Sequence, residues 1–161
     1  MKAATVNQIK KELQTRSQEE LLELCLKLSK FKKENKEYLT YLLYDSDNEQ
    51  EYIFEVKSEI DVLFQEINRD SFFYIKKSVR KILRLTKKYI RYSKQKETEV
   101  ELLLYFSHKL INMEPSIKLN LALQNLLIRQ IDSLKKLIQQ LHEDLQFDYQ
   151  QDLDKIIDQI K

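Results

Sequence analysis

Few side chains in this sequence have the types and spacing that support catalysis or metal binding. The ligand and nucleophile inventory is Cys25, His108, His142 and the carboxylates. A di-iron bundle needs Glu-x-x-His pairs on facing helices, but the residues three before the histidines are Tyr105 and Gln139. A structural zinc site draws on several Cys and His at short spacing, and this chain has one Cys and two His. The run Asp45-Ser46-Asp47-Asn48-Glu49 alternates oxygen ligands as a calcium loop does. Gln50 stands where such a loop needs Gly, however, and Val56 where it needs a closing Glu. It reads as a solvated turn. Cys25 sits among Leu21, Leu22, Leu24, Leu26 and Leu28 and reads as a small buried hydrophobe. His108, near Leu104, Tyr105 and Ile111, reads as a boundary residue, and His142, beside Glu143 and Asp144, as a surface one. No nucleophile, base and orienting group fall together. The expectation is a protein that is not an enzyme and uses no cofactor or metal.

Charge is the feature with chemical content. Residues 69–96 carry eleven Lys and Arg against the single acid Asp70, a local net +10; the whole chain is only +2, so the remainder is −8. On a helix advancing about 100° per residue from Phe72, Lys76, Lys77, Arg80, Lys81, Arg84, Lys87, Lys88 and Arg91 fall between about 40° and 180°. Phe72, Ile75, Val79, Ile82, Leu83, Thr86, Tyr89 and Ile90 take the opposite arc. One amphipathic helix with a basic face about 30 Å long is implied.

Three fates are open to that face. Residues 45–66 hold eight acids against Lys57, with Glu51, Glu55 and Glu59 in an i, i+4 row; a short turn at Asn68-Arg69-Asp70 would lay this acidic helix beside the basic one and neutralise it internally. Alternatively the cations contact phosphates of a nucleic acid, with Tyr74, Tyr89 and Tyr92 as stacking surfaces. In the third reading they dock an acidic protein partner or an anionic membrane surface. A protein partner is the leading expectation, and nucleic acid the alternative.

The elements that must position this face are helical. The chain of 161 residues has no Gly, which removes phosphate-cradling Gly-rich loops and disfavours tight hairpins. Capping boxes are expected at Thr5 with Gln8, Ser17 with Glu20 and Asp47 with Gln50, and Pro115 suits a first helical turn. Polar clusters separate eight expected helices, near 5–14, 17–32, 36–44, 48–67, 71–92, 97–112, 116–143 and 148–160. The fold class is therefore all-α: a single-domain bundle, or a short irregular superhelix, over residues 1–161. Leu127, Ile131, Leu134, Ile138, Leu141 and Leu145 step by 4 and 3 residues, which suits either a core helix or a homomeric coiled coil through residues 127–160. The longest apolar run, Leu102 to Phe106, is far too short to span a membrane. The start of the chain has no signal-peptide pattern, so a cytoplasmic location is expected.

A faint repeat relates Leu26-Lys27-Leu28-Ser29-Lys30 to Leu83-Arg84-Leu85-Thr86-Lys87, and Leu42-Leu43-Tyr44 to Leu103-Leu104-Tyr105. The opening Val6-Asn7-Gln8-Ile9-Lys10-Lys11-Glu12-Leu13 with Ser17 to Leu24, and the middle stretch Lys87 to Tyr92 with Glu97 to Leu103, resemble small uncharacterised bacterial helical proteins. Those in turn resemble irregular HEAT- or armadillo-like superhelices. The resemblance implies stacked helical hairpins and a role in binding other macromolecules, with no catalytic residues. The opening also resembles a SAP-type nucleic-acid-binding hairpin, although the loop Thr15-Arg16-Ser17 lacks the Gly of that pattern.

Overall fold

The computed structural model describes residues 1–160, which form eight α-helices and no strand. The sequence suggests one domain, whereas the chain divides into two compact units, residues 1–44 and the remainder from Asp45.

The first unit holds α1 (Val6–Leu13), α2 (Gln18–Phe31) and α3 (Lys33–Thr40), the last running directly into a π-helical turn, Tyr41–Asp45. With no Gly available, side chains close the helix starts. Thr5 Oγ1 accepts from Gln8 N–H while the Gln8 side chain accepts from Thr5 N–H, and Ser17 and Glu20 repeat the arrangement. Two of the three expected capping boxes are thus present. The Ser17 N–H on its carboxylate, and then Arg16, hold Glu20 below its usual pKa. An extended Lys32 separates α2 from α3, and Asn35 Nδ2 donates to Leu28 O across that break at 2.9 Å. None of the first forty residues is buried. Three short helices with leucines distributed around the whole of α2 cannot enclose a core, so Cys25 is exposed and not the buried hydrophobe expected.

The second unit is built round α6 (Lys96–Ile111), which packs against α4 (Glu49–Gln65), α5 (Phe72–Ser93), α7 (Leu121–Ile138) and α8 (Glu143–Ile160). A helix that is apolar on every side must be enclosed, and the Leu102 to Phe106 run does this: Leu102, Leu103, Leu104 and Phe106 are all buried. Phe106 meets Phe64 of α4 with ring centroids 5.8 Å apart. From the outer helices Ile60, Val79, Leu134 and Leu153 close the core.

Several boundaries differ from the sequence reading, α3 among them, which runs Lys33–Thr40 and not over 36–44. Asn48 caps α4 by accepting from Glu51 N–H, one residue beyond the Asp47 cap expected. Pro115 does not open a helix that starts at 116; a 3₁₀ turn at Ile117–Leu119 comes first, and Asn120 caps α7 through Leu123 N–H. That helix stops at Ile138, short of 143, and α8 already begins at Glu143, because Gln140 and Leu141 turn back onto Leu137 and Ile138 carbonyls. The heptad seam breaks at this turn. Leu127, Ile131, Leu134 and Ile138, then Leu153 and Ile156, are buried inside the unit, so the seam is a core face and not a surface for a homomeric coiled coil. The two members of the sequence repeat also differ: Leu42 and Leu43 are exposed where Leu103 and Leu104 are buried.

Candidate binding face on α5

Helix α5 owes its orientation to its apolar side. Ile75, Val79, Ile82, Thr86 and Ile90 are buried, and the Thr86 hydroxyl donates to Ile82 O at 3.0 Å, so even the polar member of that stripe is satisfied. The helix runs 22 residues and ends where Lys94 adopts a left-handed conformation, φ 59°, its N–H bonded to Ile90 O. Burial of one side fixes the other outward. Lys77, Arg80, Lys81, Arg84, Lys87 and Arg91 are exposed, and Lys76 and Lys88 half-buried. All eight residues singled out from the sequence therefore share one face.

Seven of the eight cations on that face make no ion pair with the acidic helix α4. Glu49 accepts from Ser93 and Thr98, Glu59 from the Tyr89 hydroxyl at 2.7 Å, and Asp61 from Tyr105 and from Lys109 at 2.7 and 2.8 Å. Lys57 pairs with Glu101 of α6. These contacts lie where α4 meets α5 and α6, whereas Lys77, Arg80, Lys81, Arg84, Lys87 and Arg91 are exposed on the other side of α5. Among the described residues, Lys76, Lys77, Arg80, Lys81, Arg84, Lys87 and Arg91 have no acidic partner. At these seven positions direct pairing with α4 is absent because packing two helices through apolar arcs keeps their outer arcs apart. Lys88 differs from its neighbours: its ammonium lies 4.7 Å from the Tyr89 ring centroid and 6.0 Å from that of Tyr92.

One residue of this face escaped the sequence reading. Phe73 is 68% exposed and Tyr74 46%, their rings edge-to-face at 5.4 Å. Phe73 lies at about 100° on the same helical projection, in the middle of the basic arc and in line with Lys77, Arg80, Arg84, Lys87 and Arg91. Tyr74, expected as a stacking surface, is at the edge of the arc, while Tyr89 and Tyr92 are half-buried. The signal was available: a Phe on the polar side of a strongly segregated helix breaks the binary pattern.

The remaining candidates form no competing centre. His108 and His142 are exposed, and His142 Nδ1 lies 3.3 Å from Asp144 Oδ2. No cluster of three or more His, Cys, Asp or Glu side chains suited to a metal occurs among the described residues. A cleft of about 390 Å³ between α4, α6 and α8 is lined by Lys57, Glu101, Tyr105, His108, Tyr149 and Asp152. Lys57 bonds Glu101, Lys155 bonds Asp152, and the Tyr105 and Tyr149 hydroxyls donate to Asp61 and Glu97 beside the cleft. Burial, then the Asp61 carboxylate, pushes the Tyr105 hydroxyl up to about 12. Burial, then Glu101 and Glu97, raises Tyr149 further. Partial burial pushes the Asp61 carboxyl up, but Lys109 and Tyr105 outweigh it and hold it below its usual range. These are closed acid–donor pairs that brace α6 against α4 and α8. No protein-family model, curated protein or solved structure matches the chain. No helix among the described residues is long and apolar enough to cross a membrane.

Proposed function

We propose that this protein is a non-catalytic binding module whose α5 face docks a macromolecular anion. The observation that supports this reading is the row of seven cations, Lys76 to Arg91, left without acidic partners on a helix whose other side is fully committed to the core. At 1.5 Å per residue the row is about 22 Å long. It suits an extended array of negative charges better than a single small ion. An acidic protein surface, the partner the sequence favoured, presents such an array, and so does a phosphodiester backbone. Exposed cations facing solvent steer association and make it sensitive to salt.

Retention on immobilised heparin tests the face. The wild type should elute at higher salt than the Arg80→Glu/Arg84→Glu variant. The Lys135→Glu/Lys136→Glu variant, which changes net charge equally but alters exposed residues of α7, should elute close to the wild type. Circular dichroism should be unchanged in both. Equal loss of retention in the two variants would reduce the effect to overall charge and defeat the proposal.

A further inference from the structure

We infer that the macromolecular anion is single-stranded nucleic acid, held by its phosphates along α5 and by an unpaired base on Phe73. This rests on the reading of α5 as the docking face and adds the class of partner. Cations alone do not separate a phosphate chain from an acidic protein, but the aromatic at the end of the row does.

Phe73 is 68% exposed in the basic arc, and it is backed edge-to-face by Tyr74, which fixes a flat apolar surface beside the charges. The core gains nothing from Phe73, because Ile75 and Val79 already fill the buried side of that end of α5. A polyglutamate-like surface has no use for a ring at this position, whereas every nucleobase has a π-face that stacks on one. A duplex keeps its base faces covered by neighbouring pairs. Only an unpaired strand offers a free face while its phosphates run on toward Arg91. From Phe73 to Arg91 the helix covers about 27 Å. At about 3.4 Å per nucleotide in a stacked strand, roughly eight nucleotides lie along it. The bases are taken through shape and stacking, so little preference among sequences is expected.

The test is fluorescence anisotropy of a labelled twelve-residue oligodeoxythymidine at about 50 and 200 mM salt. Three probes accompany it: a duplex of the same length, a strand of the same phosphates with abasic sugars, and a polyglutamate peptide. The wild type should bind oligothymidine most tightly and lose affinity steeply with salt. Phe73→Ala should weaken oligothymidine about tenfold while leaving the abasic strand unchanged, and Phe73→Tyr should restore binding. Arg80→Glu/Arg84→Glu should weaken all the anions and flatten the salt dependence. The chain has no Trp, so Phe73→Trp introduces a single indole whose emission a stacked base should quench and polyglutamate should not. If Phe73→Ala is without effect and polyglutamate or duplex binds as well as the single strand, the nucleic-acid inference is overturned while the docking face stands. If none of the four anions binds at low salt, both fall.

Discussion

Asp61 shows how closely the acidic side chains of α4 are committed. Its carboxylate takes the Tyr105 hydroxyl and the Lys109 ammonium together, and this is why it contributes nothing to the cations of α5. The pairing has a pH signature. A tyrosine whose folded pKa is raised from 10.0 to about 12 stabilises the fold fully below pH 10, and that contribution is lost as the pH rises through 12. Asp61, lowered from 3.8, acts at the other end: its contribution is present above pH 4 and lost as the pH falls through its depressed value. Tyr105→Phe should therefore remove part of the loss of stability between pH 10 and 12, leaving the part due to Tyr149. It should also move the acid limb toward higher pH, because Asp61 loses a donor. Urea midpoints measured at closely spaced pH values would show both changes, and parallel alkaline limbs in the two proteins would contradict the assignment. At this level the sequence was only half legible. Residue type and local spacing identified the eight cations and both capping boxes of the first unit. They did not reveal that Glu49, Glu59 and Asp61 bond to hydroxyls 30 to 49 positions away, because such pairings depend on which helices become neighbours.

Among the helices, α6 carries the architecture. Its Leu102 to Phe106 run is the signal for this, but from the sequence that run only excludes a membrane span, and the core helix is sought in the 4–3 spacing of the later leucines. Phe106 is fully buried against Phe64, and removing a ring from such a site costs about 3–5 kcal/mol. Phe106→Ala should thus lower the urea midpoint severely, since a whole domain is stable by only about 5–15 kcal/mol. Phe54→Ala, at a residue of α4 that is 64% exposed, should leave it within experimental error. Equal sensitivity at the two positions would mean that α6 is not the central element. The α7–α8 junction was the hardest element to read. Continuous 4–3 spacing through Leu141 and Leu145 hides where the first helix stops, and the break expected between 143 and 148 falls between Ile138 and Glu143, because periodicity records which face is apolar and not whether the backbone hydrogen bonds persist. Ile138 and Leu153 are both buried although a turn lies between them, so one unbroken pattern serves two helices packed on the same core.

Across the chain, the all-helical class followed from the lack of Gly, while the division into two units did not. Composition is similar on both sides of Tyr44, and no Pro- or Gly-rich linker marks the boundary; only the failure of residues 1–40 to bury any side chain exposes it. Within the second unit the unpaired cations have a further effect on the unliganded protein. Lys76 and Arg80, Lys77 and Lys81, Arg80 and Arg84, and Lys87 and Arg91 are like charges one helical turn apart. Each such pair destabilises a helix by about 0.2–0.5 kcal/mol at low salt. Counterions relieve that repulsion, so the thermal midpoint should rise with sodium chloride, and Arg80→Glu/Arg84→Glu should reduce the rise. A midpoint that instead falls with salt would mean the cations are paired after all. The same ions that screen α5 also compete with any polyanion for it. Raising the ionic strength should therefore strengthen the fold and loosen its grip on a partner together, and a bound polyanion should take over in the complex the part that salt plays in the free chain.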